Sequence, residues 1–559
     1  MQEDSVLHCL QKSGAANDPI CYREFCHGRV LGLLSSLNDQ MASHKLGNPM
    51  YEFMLVTSVV IFFWISGTYA MHPAASVLHP QTFYLLFHGV VFVVRPIFAW
   101  YYNFNGLYAA IQFDPTPWQK TTVLICTNIA LVVFSGVCMA IARDPIRYGQ
   151  SSAELAKRGP LLRNFWIFAL IIGALGMWAV FSGLQFKSTG NIDDIRKVDA
   201  RTGATYLTGA SGYFISLPFM LSSLTAIIVY LGRHRWWSYL PFAIFALLKL
   251  GTGGRGGVVA AAVMIIMLYL FDKRRRWPGV GLLLAVAAGW MIFDQVGTDR
   301  GAGIREALGY QSGDRAYIRE RSQELPLESM DLANMEFFEY LVWAIPQRTG
   351  SYDYFVSNLQ LFTEPIPRAL WPEKPVGAPI KMYELYRYAI PLGATASVPG
   401  VGWASAGYVG VVIWSAFFAF IYGGVYRWFV RSEGSNVAVL AYIVFVSTSV
   451  VGFRDGGLMT ILKQLQFFFV PIGALWIVSH LLNKRHLDFR SFKDVSGLRS
   501  KVRPLRTGKE RRLAAMSQAQ VGSSDRPPTS AAFAASRDTP KDRRIARMQL
   551  SSSTSKLTE

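Results

Sequence analysis

Charge is scarce in this chain. Only 16% of its 559 residues are Asp, Glu, Lys or Arg, against 52% hydrophobic, and the mean hydropathy is +0.26. That balance excludes a soluble enzyme with a charged surface. Cysteine is scarce too, five in all, so no disulfide framework is implied. Cys126 and Cys138 fall in an apolar run and read as packing residues. Cys9, Cys21 and Cys26, flanked by His8 and His27, match no standard zinc spacing, and neither a metal nor a cofactor is expected. Residues 1–48 lack an apolar h-region, so no cleavable signal peptide is expected. The glycine-rich "GTGGRGG" (251–257) lacks the Gly-Lys-Ser/Thr ending of a nucleotide loop. Basic residues are not interleaved with stacking aromatics, which argues against a nucleic-acid partner.

What is present is a series of long apolar runs, each near the length that crosses about 30 Å of hydrocarbon as a helix. Eleven lie near 51–71, 82–101, 121–142, 164–185, 211–232, 237–252, 257–272, 279–296, 404–428, 436–452 and 458–482. The expected fold is an all-α polytopic membrane protein of 11 or 12 transmembrane helices with the lipid bilayer as its solvent. The sixth and seventh runs meet at the glycine-rich turn. The clusters Arg143, Arg147, Lys157, Arg158, Arg163; Arg233, Arg235; Lys273 to Arg276; and Arg427, Arg431 share one side if helices alternate, and that side is predicted cytoplasmic. The segment 483–559 is expected there as a basic disordered tail; from 484 on it holds 18 Lys/Arg against 7 Asp/Glu, net +11 of the chain's +19. The chain thus divides into a polar segment 1–48, helices over 49–296, a large loop over 297–403, helices over 404–482, and the tail.

The loop 297–403 is far longer than any other connection, and loops of that length usually carry function. It holds 10 Lys/Arg and 13 Asp/Glu, net −3, and no histidine. Alternation places it on the non-cytoplasmic face. Any general base in it is therefore a carboxylate, with Glu336, Glu339, Asp353, Glu373 and Glu384 as candidates. Residues 331–345 predict an amphipathic helix capped by Asp331, lying on the membrane or the bundle. In "IPRALWPEKP" (366–375) prolines hold Arg368, Glu373 and Lys374 rigidly together. Tyr383, Tyr386 and Tyr388, beside Lys381 and Arg387, form either a sugar platform or an interfacial aromatic belt.

Cations outside the loop approach the same face: Lys249 and Arg255 at the glycine-rich turn, Arg454 beside Asp455, and Lys463 in the last run. Ionisable groups at the hydrocarbon boundary are costly and point to function. Arginine forks among glycines suit a bulky phosphate. A cationic pocket open to lipid suits a polyisoprenyl diphosphate. Arg95, inside "VVFVVRPIFAW", must face the bundle.

The turn "GGRGG", the loop string "IPRALWPEKP" and the re-entry "VPGVGWASAGYVG" (398–410) together resemble the Wzy-type O-antigen or exopolysaccharide repeat-unit polymerases, over about residues 240–480. The resemblance implies a membrane-integral glycosyltransferase of C-type fold in the bacterial inner membrane. Its substrate would be an undecaprenyl-diphosphate-linked oligosaccharide, and a chain-length regulator is a further candidate partner. On this reading Glu373 is the first choice and Glu339 the second for the acceptor hydroxyl. Arg255, Arg368, Lys374 and Arg454 would clamp the leaving diphosphate without a metal, with Lys249, Lys463, Arg387 and Tyr383 completing the substrate site. The ligase-like relatives use a loop histidine that this chain lacks. An O-antigen ligase-like transferase and a lipid-linked oligosaccharide flippase are the competing expectations.

Overall fold

The computed structural model describes residues 49–106, 108, 113–189, 196–198, 205–207, 216–298, 302–309, 327–328, 332–363, 371, 395–432 and 434–500. The chain forms two compact units, residues 1–482 and 483–559; of the second only 483–500 is described, as helix. In chain order the helices are α1 (Pro49–Ala70), α2 (Pro80–Tyr102), α3 (Pro117–Ile141) and α4 (Ser152–Thr189). A short antiparallel hairpin, β1 (Arg196–Val198) with β2 (Thr205–Leu207), pairs Lys197 opposite Tyr206. Next come α5 (Phe219–Leu231), α6 (Leu240–Gly251), α7 (Gly256–Asp272), α8 (Val280–Thr298), α9 (Ala302–Ala307) and α10 (Asn334–Ala344). The last are α11 (Ser397–Arg431), α12 (Asn436–Asp455) and α13 (Leu458–Ser500).

Local chemistry starts these helices where they start. Thr116 caps α3 in a capping box: its hydroxyl accepts from the Gln119 N–H at 3.4 Å while the Gln119 side chain accepts from the Thr116 N–H at 2.6 Å. Pro80 and Pro117 occupy first-turn positions where no amide is needed. Cys126 and Cys138 are buried free thiols in α3, as their apolar setting predicts.

Among the described residues seven helices are long and apolar enough to cross a membrane: α1 to α4, α11, α12 and α13 over Leu465–Leu482. The protein is therefore a multi-pass helical membrane protein. Four of the eleven runs read from hydropathy lie outside these seven: α8 counts as a shorter apolar helix over Val280–Gly289, and α5, α6 and α7 have 13, 12 and 17 residues. At 1.5 Å per residue the last three rise about 20, 18 and 26 Å. Hydropathy registers composition, and these three are apolar without being full length. The turn between α6 and α7 falls at the glycine-rich heptapeptide, where Gly253 takes φ +73°.

The basic clusters gather at one end of the bundle. Arg158 is buried there, holding Asp272 through two bonds of 2.7 and 2.8 Å and lying 3.8 Å over the Tyr230 ring. It also donates to Gln150, whose amide reaches Gly434 and Asn436. Arg233 donates to the Leu155 carbonyl, and the Arg276 carbonyl accepts from Val77. One buried ion pair thus ties α4, α5, α7 and the start of α12 together.

The opposite end contains two re-entries. Inside α11 the backbone breaks at Ala406 and Gly407, the latter at φ +60° and ψ −141°. The chain reverses there, because a Cβ on Gly402 would stand 2.7 Å from the Cα of Val411. Ser397 to Ser405 is therefore a half-helix packed back on the part of α11 that begins at Tyr408. Its last carbonyls, Ala404 and Ser405, accept from the Asp353 and Tyr354 amides. Its first residue, Ser397, packs on Gly456, and the Gly456 carbonyl accepts from the Trp414 indole at 2.8 Å, two turns along α11. The half-helix thus begins inside the bundle and rises to its end. The expected span at 404–428 instead contains this reversal.

The second re-entry is α10. It was expected as an amphipathic helix on a surface, but ten of its eleven residues are buried on every side. Asp331 lies outside the described residues, and the helix begins at Asn334, whose amide donates to the carbonyls of Thr395 and Arg454, each at 2.8 Å. Full burial is possible because the face with Glu336 and Glu339 meets polar partners.

Replacing Gly402 with Val should overpack the reversal and cost about 1–3 kcal/mol. Gly424→Ala, in open space further along α11, should leave thermal unfolding in detergent unchanged.

Candidate active site

Arg95 is the centre of the site. It lies in α2 immediately after a π-helical turn, Gly89–Val94. Such a turn holds one residue more than an α turn and rotates the rest of the helix, a device found often at functional sites. The turn fits because Gly89 has no side chain: a Cβ there would meet the Phe62 ring at 2.7 Å. Arg95 is buried and grips Glu336 of α10, with Nε–Oε1 2.8 Å, Nε–Oε2 3.1 Å and Nη2–Oε1 2.7 Å. Its remaining N–H groups reach the Leu327 and Glu328 carbonyls, and the guanidinium lies 5.4 Å from the Phe104 ring. The Glu328 carboxylate accepts in turn from the Gly106 and Asn105 amides at 3.0 and 3.3 Å. One arginine thereby fastens the loop at 327–328 and the segment after α2 around the start of α10.

One helical turn beyond Glu336 stands Glu339, also buried, on a cavity of about 690 Å³. Its Oε2 accepts from the Tyr108 hydroxyl at 2.6 Å, and Lys120 lies 5.5 Å over the Tyr108 ring. Burial pushes the Glu339 carboxyl up from 4.5 to about 7; Lys120 and the Tyr108 hydrogen bond pull it down, and Glu336 adds to the rise. Burial, and then the neighbouring carboxylates, likewise push the Tyr108 phenol well above its ordinary value. The result is a buried carboxyl group on a cavity whose proton affinity is raised towards neutrality, a setting common at functional sites.

The cavity is walled by Tyr51, Trp100, Phe104, Asn103, Asp114 and Met335 besides these groups. It opens where α1 begins, α2 ends and α3 begins. Trp100, Tyr101 and Tyr102 are exposed at that end of α2. Exposed Trp and Tyr at the end of a crossing helix mark the level of a membrane–water interface. Flat rings, carboxylates and an amide lining one cavity suit a polyhydroxylated ligand such as a sugar. Among the described residues no group of three or more His, Cys, Asp and Glu side chains is placed to hold a metal ion.

Glu336 and Glu339 are the expected candidates that the structure brings to this cavity. Glu336 is engaged there in the ion pair with Arg95. Arg454 is half-buried in the last turn of α12, and its carbonyl joins the start of α10, two residues before Glu336. Lys249 and Arg255 are half-buried at the glycine-rich turn, where the Lys249 ammonium lies against Gly254. Arg305 of α9 is buried beside them and donates to the Gly251 carbonyl at 2.9 Å. Arg255, Lys249 and Arg454 do not line the Glu339 cavity. Asp353 is buried and caps the turn at Ser357. Lys463 lies in α13, its side chain outside the described part of the structure. Arg368, Glu373, Lys374, Tyr383, Glu384 and Arg387 lie outside the described residues, as do the Cys9–Cys26 cluster and the tail beyond Ser500. Sequence reasoning passed over Tyr108 and Lys120; the signal available was that both lie within 25 residues of Arg95, the one charge in an apolar segment.

Removing one partner of the buried pair leaves the other charge unpaired. Arg95→Met should cost about 3–5 kcal/mol, and Arg95→Met with Glu336→Leu should recover most of that loss in detergent unfolding. Glu339 has a second signature. Because the folded state holds its proton more tightly, its stabilising contribution is full below pH 4.5 and is lost as pH rises to about 7. Glu339→Gln should flatten that slope in chemical denaturation followed across the same window. No known family, curated protein or solved structure matches this chain.

Proposed function

We propose that the protein is a membrane-integral glycosyltransferase that polymerises oligosaccharide repeat units carried on a polyisoprenyl diphosphate, at the non-cytoplasmic face of a bacterial inner membrane. The observation that carries the reading is Glu339: a buried carboxyl with its proton balanced near pH 7, on an aromatic-lined cavity at the depth of the interfacial tryptophan. A substrate anchored in lipid presents its headgroup at that depth.

In this mechanism Glu339 takes the proton from the acceptor hydroxyl as its oxygen attacks the anomeric carbon of the donor sugar. The new C–O bond forms as the bond to the diphosphate breaks, and the lipid diphosphate leaves with the electron pair. Lys120, on the wall of the same cavity, supplies positive charge for the leaving group. Tyr108 holds the base by donating to one carboxylate oxygen. Arg255, Lys249 and Arg454, with Arg368 and Lys374 of the loop, remain candidates for guiding the diphosphate into place.

Purified protein given a defined polyisoprenyl-diphosphate-linked oligosaccharide should build polymer, and its rate should rise as pH passes through about 7. Glu339→Gln should lower the rate about 100-fold or more, leaving single lipid-linked units unconsumed. Full polymer synthesis by Glu339→Gln would sink the assignment of the base. Loss of surface delivery of single units in cells carrying that variant, with polymer synthesis intact in vitro, would favour a flippase.

A further inference from the structure

At the basic end of the bundle, away from the Glu339 cavity, an apolar groove of about 560 Å³ runs between α11, α12 and α13. Its walls are Trp428, Ala438, Ala441, Phe469, Ile472 and Trp476. The small side chains on α12 and Gly473 on α13 leave the space that the two indoles flank. Trp428 and Trp476 are half exposed, at 50% and 58%. Two arginines of α11 stand next to its lining residue Trp428 along the helix. Arg431 lies one turn beyond Trp428 and four residues before Ser435, which also lines the groove; Arg427 is one turn before Arg431 on the same helix face. Both arginines are exposed, and neither forms an ion pair with a described residue. Glu433, in the intervening turn, lies outside the described residues.

We propose that this groove is a binding site for an anionic phospholipid, with an acyl chain laid between Trp428 and Trp476 and the phosphate held by Arg431 and Arg427. Three features favour that occupant. The groove opens on the outer, bilayer-facing side of helices whose exposed residues include Val470, Ile477 and Leu481. Its lining is apolar apart from Ser435, which suits a hydrocarbon chain. Among the described residues no cation lines the groove, and Arg427 and Arg431 stand towards the Ser435 end, near the Asn436 contacts with Gln150 and Glu154 that mark the basic end, which suits an amphipathic ligand with its negative charge at one tip. Arginine binds phosphate oxygens through a planar fork, and each cation near an anionic surface adds to the selectivity.

The test uses the full chain in phosphatidylcholine vesicles that contain either bromine-labelled phosphatidylglycerol or bromine-labelled phosphatidylcholine at equal mole fraction. Tryptophan quenching is compared with that of the W428F/W476F variant, so that the difference isolates the two groove indoles. Phosphatidylglycerol should quench them about fivefold more effectively, the enrichment one arginine near an anionic surface supports. Arg427→Gln with Arg431→Gln should bring the ratio to one while both lipids still quench, and Ala441→Phe should reduce quenching by both. A ratio of one in the unaltered protein overturns the proposal, since the groove then takes bulk lipid without selection. Indoles shielded from both lipids also overturn it, since protein, such as a second copy of this chain, then fills the groove.

Discussion

The ion pair between Arg95 and Glu336 is the interaction on which the site depends. Each of these charges loses several kcal/mol of hydration on burial, and only close geometry with the remaining N–H groups satisfied offsets that loss. Arg95 meets the condition by dividing its donors between Glu336 and the carbonyls at 327–328. Glu336 in turn fixes the rotation of α10, which sets where Glu339 points. The raised proton affinity of Glu339 is therefore a downstream consequence of the pair: the helix is held deep enough to dehydrate one carboxyl because the other is neutralised.

This arrangement separates two roles that carboxylates one turn apart could have shared. Glu336 is committed to structure by a full positive charge at 2.7 Å. Glu339 has a phenol instead of a cation in direct contact, and burial raises its proton affinity by more than Lys120 and that hydrogen bond lower it. The opposite end of the bundle carries a second buried ion pair. There Arg158 and Asp272 tie the bundle together through a bidentate bond and a stack on Tyr230.

Much of this was legible in the sequence, and for identifiable reasons. The seven long helices fall where hydropathy puts them, because twenty apolar residues have few other stable settings. Glu336 and Glu339, both on the cavity, were among the loop carboxylates picked out from the sequence, whereas the reversal at Gly407 fell inside a run that reads as one continuous span. The partner of Arg95 was not legible, since it is 241 residues away and a π-helical turn alters the register between them. The burial of α10 was misjudged because its two glutamates read as a wet face; nothing local reveals that an arginine and a tyrosine from distant segments meet them. Short apolar helices such as α6 were counted as crossings for want of any local signal of depth.

The two re-entries also bear on how the protein is made. Asn334 reaches the Arg454 carbonyl and Ser397 rests on Gly456, so the lower ends of α10 and of the half-helix are seated on a part of the chain that leaves the ribosome long after they do. Until α12 is inserted, both elements lack their floor. The nascent chain must therefore shelter these greasy, partly charged pieces during synthesis, and the cavity end of the molecule is completed among the last of its parts. A damaged message that ends before residue 454 would yield a chain with every wall of the cavity but without the Arg454 carbonyl beneath its central helix.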